Sequence, residues 1–226
     1  MTTPLKITSL VIALFELCAV ATLAGPSSAS DGRQIGIWSE KGRIPQVVDG
    51  ATADVVAPDG GYAVRGTANG LQLVDVNGKV DALPILATAP LWEVIWAPNS
   101  KSFAINASDG GTVGTWDSVV YRLDHAPPFA SLDVSSLARA ASADLPQCRE
   151  REDLNVAVVG WAADGAEVLV VAEVPPHSSC MNMGDVVGFR ISVRLGKILE
   201  QLPEQALRQQ WGPVLGCRFQ QACRLN

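Results

Sequence analysis

"WAPNSKSFAI", residues 96–105, has two counterparts in the same chain: "VAPDGGYAVR" from Val56 and "WAADGAEVLV" from Trp161. Each reads as a strand, a tight turn and a second strand. Pro suits the first central position of a turn, and an adjacent Asp or Asn bonds its own backbone. The anchors Pro58-Asp59-Gly60, Pro98-Asn99-Ser100 and Ala163-Asp164-Gly165 lie 40 and then 65 residues apart. A period near 40 fits a four-stranded β unit better than a helical repeat. The flanks "AVRGTA", "LQLVDV" and "VLVVAEV" alternate or run as β-branched blocks, without the i, i+3, i+4 spacing of a helix. The surplus in the longer interval matches the stretch of about 127–153, which reads as an insertion containing Cys148.

A second pattern repeats inside each unit. "IGIWSEKGRIPQVV", "LQLVDVNGKVDALP" and "FRISVRLGKILEQL" each place a glycine (Gly42, Gly78, Gly196) beside a basic residue between two strands. Asn77-Gly78 is the best turn signal of the three, because tight hairpins need positive φ. The expectation is one half-unit, about Gln34 to Val48, followed by three whole units of two hairpins each.

"VAPDGGYAV" and "WAPNSKSFAI" resemble the strand–Pro-Asp-Gly–strand signature of WD-repeat-like β-propellers, the kind found in the periplasmic Tol system. The likeness covers roughly residues 35–202 and departs from the pattern at Ala163, where Pro is replaced. It implies an all-β fold, a small β-propeller-like arrangement of about three and a half four-stranded blades. It is nearly silent on function, since propellers host enzymes, binders and scaffolds alike. Trp116-Asp117 falls before the strand "SVVYRL" rather than at the end of one, and reads as coincidence. Closed propellers have at least four blades, and open arcs leave unpaired edges. Three solutions follow: "PVLGCRF" completes the first blade, a short helix caps one edge, or two chains pair through their edges as a homodimer. Leu202, just before the 203–226 tail, and Ala206 and Trp211 within it have helical spacing, with Gly212-Pro213 as a stop. The expectation is a four-bladed ring with a short C-terminal helix before its last strands.

Residues 1–29 read as a signal peptide: Lys6, an apolar run from Leu10 to Ala24, and small residues at Ser27 and Ala29 before the cut. The run is short for a membrane span and carries Glu16. Residues 30–226 then form a single domain, placed in the periplasm or secreted. The net charge of −6 and the lack of a Lys/Arg cluster argue against nucleic acid and against anionic lipid. Four cysteines follow the cut, an even count that points to disulfides in an exported chain. Of three connectivities, Cys148 with Cys180 and Cys217 with Cys223 tie local regions.

Chemistry is sparse. With only His125 and His177, a His-based mechanism has little material, and nucleophile-elbow, P-loop and H-E-x-x-H patterns are absent. Asp124-His125 reads as a strand exit. Asp59, Asp109 and Asp164 sit beside glycine, as turns require, although repeated units place Asp59 and Asp164 on one rim, where they form a candidate ligand or cation site. "HSSCMNM" brings His177, Cys180, Met181 and Met183 into seven residues, a soft set that suits Cu(I); flexible Met also fills gaps, and Cys180 is wanted for a disulfide. Trp92, Trp96 and Trp161 read as packing between sheets. Trp116, in the Gly-rich loop 106–117, is the candidate exposed contact residue. No cofactor is implied. The expectation is an exported, non-catalytic binding or scaffold protein whose partner is a protein or small molecule of the cell envelope. Its alternatives are an envelope hydrolase or lyase using rim carboxylates, and a copper-binding protein.

Overall fold

Asn77-Gly78 turns as its residues require: Gly78 has φ 81°, and Asp75 Oδ1 accepts the N–H groups of Asn77 and Lys79 at 2.8 Å each. The computed structural model describes residues 36–45, 47–48, 51–52, 54–67, 70–82, 89, 91–110, 114–124 and 130–220. The expected signal peptide, His125 and Cys223 lie outside them. Three four-stranded antiparallel sheets follow one another along the chain. After a two-residue pair, β1 (Val47–Val48) with β2 (Ala51–Thr52), the first sheet comprises β3 (Asp54–Val56), β4 (Tyr62–Thr67), β5 (Gly70–Asp75) and β6 (Val80–Ala82). The second comprises β7 (Leu91–Trp96), β8 (Ser102–Ser108), β9 (Trp116–Arg122) and β10 (Ala130–Asp133). The third holds β11 (Asn155–Trp161), β12 (Glu167–Glu173), β13 (Val186–Ser192) and β14 (Lys197–Pro203). Two helices accompany them, α1 (Val134–Ala141) and α2 (Glu204–Trp211). None of the described helices is long and apolar enough to cross a membrane.

The quoted repeat is real at the level of single hydrogen bonds. Gly60, Ser100 and Gly165 donate their N–H groups to Ala57, Ala97 and Ala162 at 2.9, 3.0 and 2.9 Å. Asp59, Asn99 and Asp164 each accept, at 2.9 Å, the N–H two residues on. Ser100, with φ 58°, adopts the left-handed conformation that glycine supplies in the other two turns. Its hydroxyl accepts the N–H of Asp59 at 3.0 Å, while Asn99 Nδ2 donates to the Asp164 carbonyl at 2.7 Å, so the three turns are laced together along one edge. A second rung joins the sheets from within. Trp96 Nε1 donates to Val55 O at 2.8 Å, and Trp161 Nε1, at the equivalent position, donates to Ile95 O at 3.3 Å.

Apolar contacts follow the same order. Val55, Val64 and Leu73 of the first sheet pack against Phe103, Ile105 and Tyr121 of the second. Ile95, Ala104 and Val120 meet Val156, Val158 and Val170 of the third, with Val134 and Ala138 of α1 alongside. The outer flank of the third sheet is covered by Leu207 and Trp211 of α2 together with Ile37, Trp38 and Leu215.

Several expectations need correction. Among the described residues of the half-unit expected at 34–48 no hairpin forms: Ser39 and Arg43 make isolated bridges to Leu215 and Val94. The reason is that the N–H groups of Trp38 and Ser39 are taken by the Glu93 carboxylate and are lost to a hairpin. "PVLGCRF" meets this N-terminal segment but as two 3₁₀ turns, Gly212–Val214 and Cys217–Phe219. Gly216, Cys217 and Arg218 donate to the carbonyls of Trp38, Gly36 and Ile37 at 2.7, 3.1 and 3.0 Å. Gly212-Pro213 ends α2, yet the chain continues helically for three residues. The insertion begins later than 127, because Ala130–Asp133 is the fourth strand of the second sheet. Asp133 then caps α1, accepting from Ser136 N at 2.9 Å. Trp116 and Asp117 open β9, and Asn106 lies within β8, so the loop between them is shorter than 106–117.

Trp96→Phe keeps an aromatic ring in the seam but removes the pyrrole part of the indole and with it the bond to Val55. It is expected to lower stability by about 1 kcal/mol, read from the urea midpoint at an unchanged m-value.

Candidate functional site

The helix α1 stops where Ser142 folds back on it, its N–H and hydroxyl both donating to Ala138 O at 3.0 and 2.6 Å. From there the chain runs through Pro146 and Cys148 to Leu154 without regular structure. What holds it is the loop 175–185. Cys148 and Cys180 form a disulfide, as expected. Around it Gln147 N donates to Asn182 Oδ1 at 2.9 Å and Met181 N to Gln147 O at 2.9 Å. Glu150 N donates to Ser179 Oγ at 3.2 Å, and Ser179 N to Glu152 Oε1 at 3.1 Å. The insertion and the "HSSCMNM" segment are therefore one module.

Between this module and α1 lies a cleft of about 360 Å³. It is lined by Arg139 and Ser142 at the helix end, by Pro146 and Cys148, and by residues 149–154. Arg139 is committed to the fold: it reaches Asp117 Oδ1 at 2.5 Å, Trp116 O at 3.1 Å, and Leu154 O at 3.0 and 2.8 Å. It thereby pins the starts of β9 and β11. Arg149, Arg151, Glu150 and Asp153 are exposed, and no ion pair joins them to any described residue. Among the lining residues the one hydroxyl, Ser142, is bonded to a carbonyl and the one sulfur is in a disulfide. Such a surface carries charge of both signs, and its lining residues include no nucleophile–base pair.

The other candidate sites resolve differently. Asp59 and Asp164 do share an edge with the turn at Asn99, but each carboxylate accepts from its own turn. Asp109 stands at the end of β8, its N–H donating to Thr115 O at 3.3 Å. Trp116 is not an exposed contact: it is 4% exposed and meets Trp38 edge-on with ring centroids 5.7 Å apart. Apolar area drove the ring inward although the loop beside it is polar. Cys180 is withdrawn from any soft-metal set by its disulfide, while His177, Met181 and Met183 are exposed on the same loop. Among the described residues no three His, Cys, Asp or Glu gather to hold a metal. Cys217 is disulfide-bonded, with its expected partner outside the described residues.

Sequence reading missed the most perturbed group. Glu93, in the middle of "LWEVIW", is fully buried. Trp38 N and Ser39 N donate to its carboxylate at 3.2 and 3.1 Å, and Asn106 Nδ2 at 2.9 Å. Asn106 continues to Ser118 and to the backbone of Val158. Burial pushes the Glu93 carboxyl up to about 7, against the Asn106 amide and the N–H groups of Ile37, Trp38 and Ser39, which favour the ionised form. A perturbed carboxyl marks a functional candidate, but every donor around this one belongs to the fold. Its role is to fasten the N-terminal segment. A charged residue flanked by apolar ones in a strand was the available signal.

No family model matches this chain, and no curated protein matches it. Among solved structures, a prolyl endopeptidase, from a study of inter-domain dynamics in catalysis and specificity, is similar over 70% of this chain at 11% identity and a TM-score of 0.38. This chain spans 22% of that one. A likeness so slight adds nothing to the functional reading.

Unfolded Glu93 titrates near its ordinary 4.5 and the folded group at about 7. Between those values the folded chain keeps a proton that the unfolded chain has lost, so this group lowers stability as pH rises. The stability difference between wild type and Glu93→Gln, from denaturant melts at stepped pH, is expected to shift against the wild type from pH 4.5 to about 7 and to level off above. A constant difference across that window would refute it.

Proposed function

We propose that this chain is an exported, non-catalytic binding protein of the cell envelope, built on a propeller-like frame, with its ligand seated in the cleft beside the Cys148–Cys180 disulfide. The observation that carries the reading is the lining of that cleft: unpaired charges of both signs on a covalently braced wall, with no activated nucleophile. Support for the frame comes from the repeated turn and tryptophan bonds between three successive four-stranded sheets. The place of a fourth blade is filled, in this reading, by residues 36–44, α2 and the two 3₁₀ turns. The WD-repeat-like resemblance and the periplasmic or secreted location belong to the same proposal, and the disulfide is what such a compartment permits.

The test is a thermal-shift screen of fractionated envelope extract against the wild type and Arg149→Glu/Arg151→Glu, with mass spectrometry of the recovered ligand. A ligand at about a hundred times its Kd is expected to raise the wild-type midpoint by about 5–10 °C, to leave the variant unmoved, and to be recovered unchanged. Equal shifts in both proteins would place the site elsewhere. Chemical conversion of the ligand would make the protein an enzyme.

A further inference from the structure

We infer that the cleft takes a zwitterion, a short peptide with free ends, whose carboxylate is read by Arg149 and Arg151 and whose ammonium is read by Glu150 and Asp153. This inference rests on the binding reading above. Two guanidinium groups, Arg149 and Arg151, and three carboxylates, Glu150, Glu152 and Asp153, border one cavity without an ion pair to any described residue. Glu152 is held by the Ser179 N–H, while Glu150 and Asp153 have no side-chain partner among the described residues. A dianion entering it is attracted by the arginines and repelled by the three carboxylates as water leaves. A dication meets the opposite problem. Like charges brought together in this way are what excludes wrong partners. A molecule carrying one charge of each sign avoids both penalties and satisfies both sets of groups. Arginine is suited to the carboxylate end, since its planar fork matches two oxygens at once.

Size and polarity narrow the class further. A volume of about 360 Å³ lies at the low end for ligand pockets, below what a folded partner or long chain would need. Pro146, Ala143 and Cys148 line the same cavity and supply apolar surface, against which a small side chain or peptide methyl packs. The brace matters as well. Main-chain bonds from Gln147 and Glu150 to the 175–185 loop hold the charged segment in place before a ligand arrives, which lowers the ordering penalty on binding.

The experiment is NMR titration of the ¹⁵N-labelled full chain, followed at the Arg149–Asp153 amides and the arginine Nε groups. The probes are trialanine, N-acetyl-trialanine, trialanine amide, succinate and putrescine. Trialanine is expected to shift these signals saturably, and blocking either end to weaken it by about tenfold or more. Arg149→Gln/Arg151→Gln is expected to erase the difference between trialanine and its amide. Glu150→Gln/Asp153→Asn is expected to erase the difference made by N-acetylation. All four substitutions are at exposed positions, and an unchanged thermal midpoint checks that each variant folds. Succinate or putrescine binding as tightly as trialanine would overturn the zwitterion assignment while leaving the cleft a binding site. Shifts from no probe at all would overturn both.

Discussion

The Glu93 carboxylate is the constraint on which the ends of the fold depend. Residues 36–42 curl around it so closely that a Cβ on Gly36 or Gly42 would fall within the carboxylate itself. Backbone N–H groups converge on the anion, the arrangement that elsewhere binds free phosphate or carboxylate. Here the acid is internal, so the segment is fixed against the second sheet. That places Trp38 with Trp116 on one edge and Phe219 on another, both at 5.7 Å between ring centroids. Arg218 lies over the Trp38 ring, 4.5 Å from its centre, and bonds Glu173 of the third sheet at 2.5 Å. One buried acid thus locates the N-terminal segment, and that segment gives the C-terminal turns a surface to close upon.

Between the ends, the sheets are joined by two rungs that recur in register. The tryptophan rung buries a large ring and satisfies its N–H on a neighbouring sheet's carbonyl. The turn rung works on the rim, where Ser100 accepts a strained backbone in exchange for a hydroxyl aimed at Asp59. The first sheet has Val56 where the others have Trp96 and Trp161, and that side chain is 57% exposed. The central strands differ accordingly: every residue of β8 is buried, whereas β4 alternates along its inner half. The second sheet is therefore more deeply buried than the first.

What was legible in the sequence was what recurs. Three strand–turn–strand units, the turn roles of Asp59, Asn99 and Asp164, the Asn77-Gly78 hairpin and the helix before Gly212 all follow from local chemistry at fixed offsets. So does the local Cys148–Cys180 bond. The failures lie where long-range contacts override local preference. "IGIWSEKG" has the pattern of a hairpin, but a carboxylate more than fifty residues away claims its donors. "ASLD" is too short to announce β10 without its partner β9. Trp116 sits beside glycines and an Asp, and nothing local says that Trp38 waits for it in the core. The cleft was half legible: the insertion and "HSSCMNM" each stood out, but only the fold brings them together.

That junction explains why a site arises there and not on the rim. Rim carboxylates in a repeating frame are committed to the turns that make the repeat possible, so changing their chemistry disturbs the frame. Residues 142–153 lie outside the period and carry no share of the sheet hydrogen bonds beyond the Cys148–Cys180 bridge. Their charges are free to serve a ligand. The difficulty is rigidity, since a segment with few apolar side chains cannot pack itself into place. A disulfide closing 32 residues answers this, worth about 3–4 kcal/mol in the chain-entropy account. Arg139 answers it from the other side by tying the strand starts to α1. The cleft is thereby a product of the fold's departure from its own repeat, held open by bonds that the repeat does not need.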